Sequence, residues 1–101
     1  MRVIVFFDLP VTTSTGRKEY VKFRKHLIKN GFIMMQESVY SKLVLNSTAA
    51  GAVISNIRKQ SPSEGLVQIL TITEKQFSRI EFIIGEKNSE ILETDERLVI
   101  L

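Results

Sequence analysis

Residues 2–7, Arg-Val-Ile-Val-Phe-Phe, are apolar at every position after the first, with no polar residue to mark an outward face. A strand with one wet face alternates apolar and polar side chains, so a run without alternation reads as a central strand covered on both sides. Leu9-Pro10 ends it, because proline has no N–H for the ladder. Whatever the fold, it must place something on each side of this strand.

The elements that follow can be read in order. Thr12 to Thr15 offer helix caps, and helical spacing then runs from about Gly16 to Asn30. Asn30-Gly31 tolerates the left-handed turn that ends a helix. Residues 32–35 and 38–45 read as two strands joined by a tight turn near Gln36-Glu37. Asn46-Ser47-Thr48 caps a second helix over about 48–60, with Ala50, Val53, Ile54 and Ile57 on one face. A turn cluster at 61–65 leads to a fourth strand at 66–73.

The order is β-α-β-β-α-β. Right-handed crossovers then give an α+β, ferredoxin-like fold: a four-stranded antiparallel sheet with both helices on one face. Its other face is open, and Phe6, Met34, Met35 and Tyr40 argue against leaving that face to water. A homodimer packed sheet against sheet is the expected solution. We assign residues 1–80 to this domain and residues 81–101 to a C-terminal extension. In the extension, residues 81–84 read as a short edge strand, and the apolar end 98–101 as a further strand pairing across the dimer.

Composition narrows the function. One hundred and one residues make one domain, and without cysteine there is no disulfide framework, zinc knuckle or thiolate nucleophile. The start is too quickly interrupted by Asp8 and Pro10 for a signal peptide, and no apolar run approaches the roughly 20 residues of a membrane span, so a cytoplasmic protein without a membrane partner is expected. There is no Gly-rich phosphate loop, HExxH or GxSxG. His26, the single histidine, reads as solvated.

Charge is uneven along the chain. Residues 1–29 carry seven basic groups against Asp8 and Glu19, whereas residues 80–101 carry two against six acidic ones. At about 100° per residue, Tyr20, Val21, Phe23, Leu27 and Ile28 share the core side of the first helix. Lys18, Lys22, Lys25 and Lys29 fall together on the opposite side, with Arg17 at the N-terminal end. A row of cations without intervening acids suits a phosphate backbone, DNA or RNA. The alternative is an ordinary solvated helix face. Arg24 lies inside the apolar arc and needs a partner such as Glu37 or a phosphate, or must snorkel to water.

Asp8 is the residue of greatest chemical interest. It is the only acid in the first 18 positions and ends an apolar strand at a β-to-α junction, where α/β sites collect. Mg²⁺ takes one or two carboxylates together with waters and phosphates. One aspartate is a sparse site, but two copies meeting across a dimer axis would make a plausible one. Equally, Asp8 could bond the backbone of the Pro10–Thr13 loop.

Phe7-Asp8-Leu9-Pro10, the basic helix, Gly31 and Gln36-Glu37-Ser38-Val39-Tyr40, in this order and spacing, resemble the CRISPR-associated protein two family, in its type II-like branch. The resemblance implies a ferredoxin-like homodimer that bridges CRISPR integrase subunits during spacer acquisition. It also implies Mg²⁺-dependent endonuclease activity on RNA or double-stranded DNA, with Asp8 as the catalytic, metal-binding residue. One departure is Phe7, where the family often has tyrosine; the lost hydroxyl removes a possible ligand. Arg17 and Lys18 are the best positional matches for the family's basic contacts. Two other readings stay open: a non-catalytic DNA-binding scaffold for the integrase, and a ferredoxin-like regulatory dimer that binds a small ligand.

Overall fold

The computed structural model describes residues 1–85. Four strands, β1 (Arg2–Asp8), β2 (Ile33–Gln36), β3 (Val39–Leu43) and β4 (Leu66–Ile72), alternate with α1 (Ser14–Lys29) and α2 (Ser47–Lys59). The sheet order is β2-β3-β1-β4, with every neighbouring pair antiparallel. This is the expected ferredoxin-like arrangement, with β1 at the centre.

Local chemistry sets the helix ends. Thr13 caps α1 by accepting a hydrogen bond from Gly16 N–H at 2.9 Å, and Asn46 does the same for α2 from Ala49 N–H at 2.9 Å. Past the C-terminus of α1, Gly31 takes φ +91°, a conformation that costs most other residues about 1 kcal/mol. Lys42 Nζ donates to the Asn30 carbonyl at 2.6 Å, giving a charged partner to an acceptor at that helix end.

Both helices pack on one face. Val3, Val5 and Phe7 of β1 meet Phe23 and Leu27 of α1 and Ala50 and Ile57 of α2 in a single core. Phe7 is its aromatic hub, with ring centroids 5.1 Å from Phe23, 5.6 Å from Tyr20 and 5.7 Å from Tyr40. Burying such a side chain stabilises the fold by roughly 1.5–3 kcal/mol.

The other side of the sheet is uncovered in the single chain. Strand pairing puts Phe6, Val39 and Gln68 in one row and Ile4, Ser41, Leu70 and Ile33 in the next. Phe6, Ile33, Leu43, Leu66 and Leu70 are exposed there, Ile33 to 66%. The open face is thus as apolar as expected, but its membership differs. Tyr40 lies on the helix side instead, because it pairs with the buried Val5 of β1, and an irregularity between Met34 and Gln36 puts the half-exposed Met34 on that same side. Tyr40 is buried in the core, and Arg24 Nε donates to its hydroxyl at 3.0 Å. Within the chain the partner of Arg24 is therefore Tyr40 and not Glu37.

Three further expectations are corrected. Val21 and Ile28 are half exposed, since the core side of α1 is centred on Gly16, Phe23 and Leu27. His26 lies on the flank towards α2, not in solvent: Asn30 Nδ2 donates to its Nδ1 at 3.3 Å, Asn56 continues the network, and its Nε2 is buried without a partner. Residues 81–84 form no strand, although β2 and β4 each keep a free edge among the described residues, and Ile83 and Ile84 stand 85% and 91% exposed. Before them is a single turn, α3 (Glu74–Phe77), held by a Thr73–Gln76 capping box. The strand expected at 98–101 lies outside the described residues.

Candidate functional site

Asp8 sits at the end of β1 on the open face, opposite Leu66 of β4. Its side chain is exposed and makes no hydrogen bond or ion pair with any described residue. The loop-capping alternative fails here, since neither Val11 nor the threonines after Pro10 donate to the carboxylate. What surrounds Asp8 is a shallow cleft of about 160 Å³ lined by Phe6, Phe7, Ser38, Val39, Leu66 and Gln68.

Backbone devices hold this corner in place. Ser38 takes φ +66° in the β2–β3 turn, a conformation uncommon outside glycine, and its carbonyl accepts from Phe7 N–H at 3.0 Å. Across the cleft Gly65, at φ +97°, passes directly beside Asp8 and Leu9. Ser38 and Gln68 were not singled out as candidate ligands from sequence, although alternation along β4 already puts Gln68 among Leu66 and Leu70.

The ring of Phe7 points away from Asp8, into the helix-side core. It packs among the rings of Phe23, Tyr20 and Tyr40.

The basic residues form a separate surface. Arg17, Lys18, Lys22 and Lys25 line a broad open groove of about 570 Å³ along the outward side of α1, with Ser14 and Val21 between them. Lys29 is exposed one turn beyond and does not line it. One Arg17 Nη donates to the Val11 carbonyl at 3.1 Å, so this guanidinium also ties down the β1–α1 loop. Because α1 separates the groove from the sheet, one chain does not bring the lysine row and Asp8 into a common pocket.

As to a metal, no group of three or more His, Cys, Asp or Glu side chains comes together among the described residues. One unpaired carboxylate beside a hydroxyl and a carboxamide suits a hydrated hard cation, which keeps most of its waters, and does not suit a dehydrated cage. Asp8 would be the residue to hold it.

The βαββαβ order, the four-stranded antiparallel sheet and the exposed carboxylate at the end of its central strand define a small α+β protein of the ferredoxin-like class. The relatives give this class its family. Residues 1–80 match the family model described as CRISPR associated protein Cas2. Proteins named CRISPR-associated endoribonuclease Cas2 are similar over the whole chain. The one from Treponema denticola is 61% identical, covering 100% of both chains. That from Streptococcus mutans is 48% identical, covering 100% of this chain and 93% of its own, and that from Ligilactobacillus salivarius is 48% identical over 100% of both. The chain belongs to the Cas2 family. The crystal structure of Streptococcus pyogenes Cas2 at pH 6.5 shares the fold, with TM-score 0.64 and 20% identity over 84% of this chain and 100% of that one. No helix among the described residues is long and apolar enough to cross a membrane.

Proposed function

We propose that this chain is a homodimeric, Mg²⁺-dependent endoribonuclease of CRISPR adaptation, with Asp8 as its catalytic carboxylate. The observation that carries the reading is that Asp8 is exposed and unpartnered in an open-face cleft, where a structural aspartate would be bonded to its own loop. RNA is favoured over duplex DNA as substrate by the names of the relatives, all endoribonucleases.

The dimer follows from the open face. Phe6, Ile33, Leu43, Leu66 and Leu70 are too much exposed apolar surface for a monomer, and a second copy of the sheet is their natural cover. Such packing would bring a second Asp8 towards the first. The exposed Phe82, Ile83 and Ile84 fit the same reading, in which residues 81–101 form an extension at the dimer interface.

Hydrolysis of a phosphodiester adds a water oxygen to phosphorus and expels one ester oxygen, with a proton passing from the water to the leaving group. When bound, Mg²⁺ supplies an activated water and neutralises developing phosphate charge. Asp8 would be the residue to hold that ion, with the apolar rim of Phe6, Val39 and Leu66 beside it limiting bulk water. Lys18, Lys22, Lys25 and Lys29, with Arg17, bind backbone phosphates on the other side of the chain, as a non-sequence-specific contact. Their separation from Asp8 favours a second role, as a nucleic-acid-binding scaffold that joins CRISPR integrase subunits.

The test is charge on the open face away from the cleft. Leu70→Glu is expected to give a monomer by sedimentation and to abolish metal-dependent RNA cleavage. Full cleavage by a monomer would remove the shared site.

A further inference from the structure

The outward positions of β4 are Leu66, Gln68, Leu70 and Ile72: three aliphatic side chains and one carboxamide. The cross-strand register places Leu66 opposite Asp8 and Gln68 opposite Phe6. Gln68 is therefore the diagonal neighbour of Asp8, a spacing of about 7–8 Å that long side chains span. Both line the same cleft. The carboxamide of Gln68 makes no hydrogen bond with any described residue, so its NH₂ and its oxygen are both available.

The chemistry of the cleft calls for such a group. A carboxylate repels the phosphodiester it must act on, yet no lysine or arginine lines the cleft to offset this. A cation there would pair with Asp8 and compete with a metal for it. A neutral donor avoids that, offering a hydrogen bond to phosphate while leaving the carboxylate free. The hydroxyl of Ser38 has the Tyr20 hydroxyl 3.5 Å away, with either able to donate, whereas the Gln68 amide has no partner among the described residues.

We propose that Gln68 is a second substrate-binding residue of the cleft, its NH₂ donating to a non-bridging oxygen of the phosphodiester on which Asp8 acts. This rests on the reading of Asp8 given above. The competing account makes Gln68 a polar spacer, solvated in the monomer or paired with a second copy.

Gln68→Met keeps length and removes both polar groups, Gln68→Glu keeps shape and replaces the donor with a negative charge, and Gln68→Asn keeps the amide on a shorter arm. Three quantities are measured for each: kcat and KM on a fluorescein-labelled single-stranded RNA with Mg²⁺, anisotropy of the same RNA in EDTA, and sedimentation. A hydrogen bond to a charged group predicts a loss of about 10- to 100-fold in kcat/KM for Gln68→Met, mainly through KM. Gln68→Glu should lose at least as much and Gln68→Asn less, with RNA affinity in EDTA weakened several-fold in Gln68→Met and the dimer intact. Wild-type kcat/KM and RNA affinity in Gln68→Met would overturn the proposal, and so would a loss that tracks dissociation of the dimer. Asp8→Asn, run alongside, separates the two readings. If it is inactive while Gln68→Met is normal, only the role of Gln68 falls; if it cleaves like wild type, the Asp8 reading falls and takes this one with it.

Discussion

Gly65 passes so close to Asp8 that a Cβ added to it would stand 2.7 Å from the Asp8 carbonyl oxygen and 2.8 Å from Leu9 Cδ2. Its φ of +97° is also one that L side chains avoid. The α2–β4 loop can therefore lie against the end of β1 only with glycine here. Gly65→Ala is expected to cost about 1–3 kcal/mol, from strain and steric displacement together, read as a lower denaturation midpoint. An unchanged midpoint would mean the loop moves freely and does not fix Asp8.

Arg24 and Tyr40 make a second tie. The Tyr40 hydroxyl is held in a residue only 1% exposed, and Arg24 Nε donates to it at 3.0 Å. Arg24→Ala should cost about 1–3 kcal/mol, the penalty of an unsatisfied buried hydroxyl. In a Tyr40→Phe background the same change should cost much less, because no hydroxyl is left to satisfy. A double-mutant cycle checks this, and equal losses in both backgrounds would show that the bond contributes nothing.

The lysine row makes a salt prediction. Each phosphate contact to a single strand contributes about 0.7 to the slope of log affinity against log salt. Replacing Lys18, Lys22, Lys25 and Lys29 with alanine should flatten that slope for RNA, in proportion to the contacts removed. A variant with the wild-type slope would show that this face is merely solvated.

Arg2 and Glu74 respond to acid. The Arg2 guanidinium bonds both oxygens of Glu74, at 2.9 and 2.8 Å, and lies 4.2 Å above the Phe77 ring. Its hydrogen bonds hold the Glu74 carboxyl below the ordinary carboxylate value. A lowered folded-state pKa means stability that is present above the unfolded value, about 4.3, and lost as pH falls through the lowered one. Wild type should therefore exceed Glu74→Gln in stability at neutral pH, with the gap closing below about pH 4. A gap that persists in acid would assign the difference to packing on Phe77.

Much of this was legible in the chain itself. The unalternating run in β1 predicted a strand needing cover on both faces, and the structure supplies only one cover. The helix spacing separated Phe23 and Leu27 from the lysines correctly. Facing in β2 and β3 was not legible, because the irregularity at Met35 and the left-handed Ser38 decide the phase, and a one-residue slip turns every side chain over. The partner of Arg24 escaped for the same reason, since it follows from Tyr40 facing inward. The strand read at 81–84 had the right composition, but composition does not say whether a segment reaches an edge, and this one pairs with neither β2 nor β4. For the site, position marked Asp8, whereas its freedom from the neighbouring loop and the company of Gln68 needed the fold.

The central claim is that Asp8 carries the chemistry. The direct measurement is cleavage of end-labelled single-stranded RNA, with duplex DNA in parallel, by wild type and Asp8→Asn at matched dimer content, in Mg²⁺ and in EDTA. Metal stabilisation of several kcal/mol predicts at least about 100-fold slower cleavage in Asp8→Asn, close to the EDTA rate. Cleavage by Asp8→Asn at the wild-type rate, or cleavage by wild type undiminished in EDTA, would contradict it.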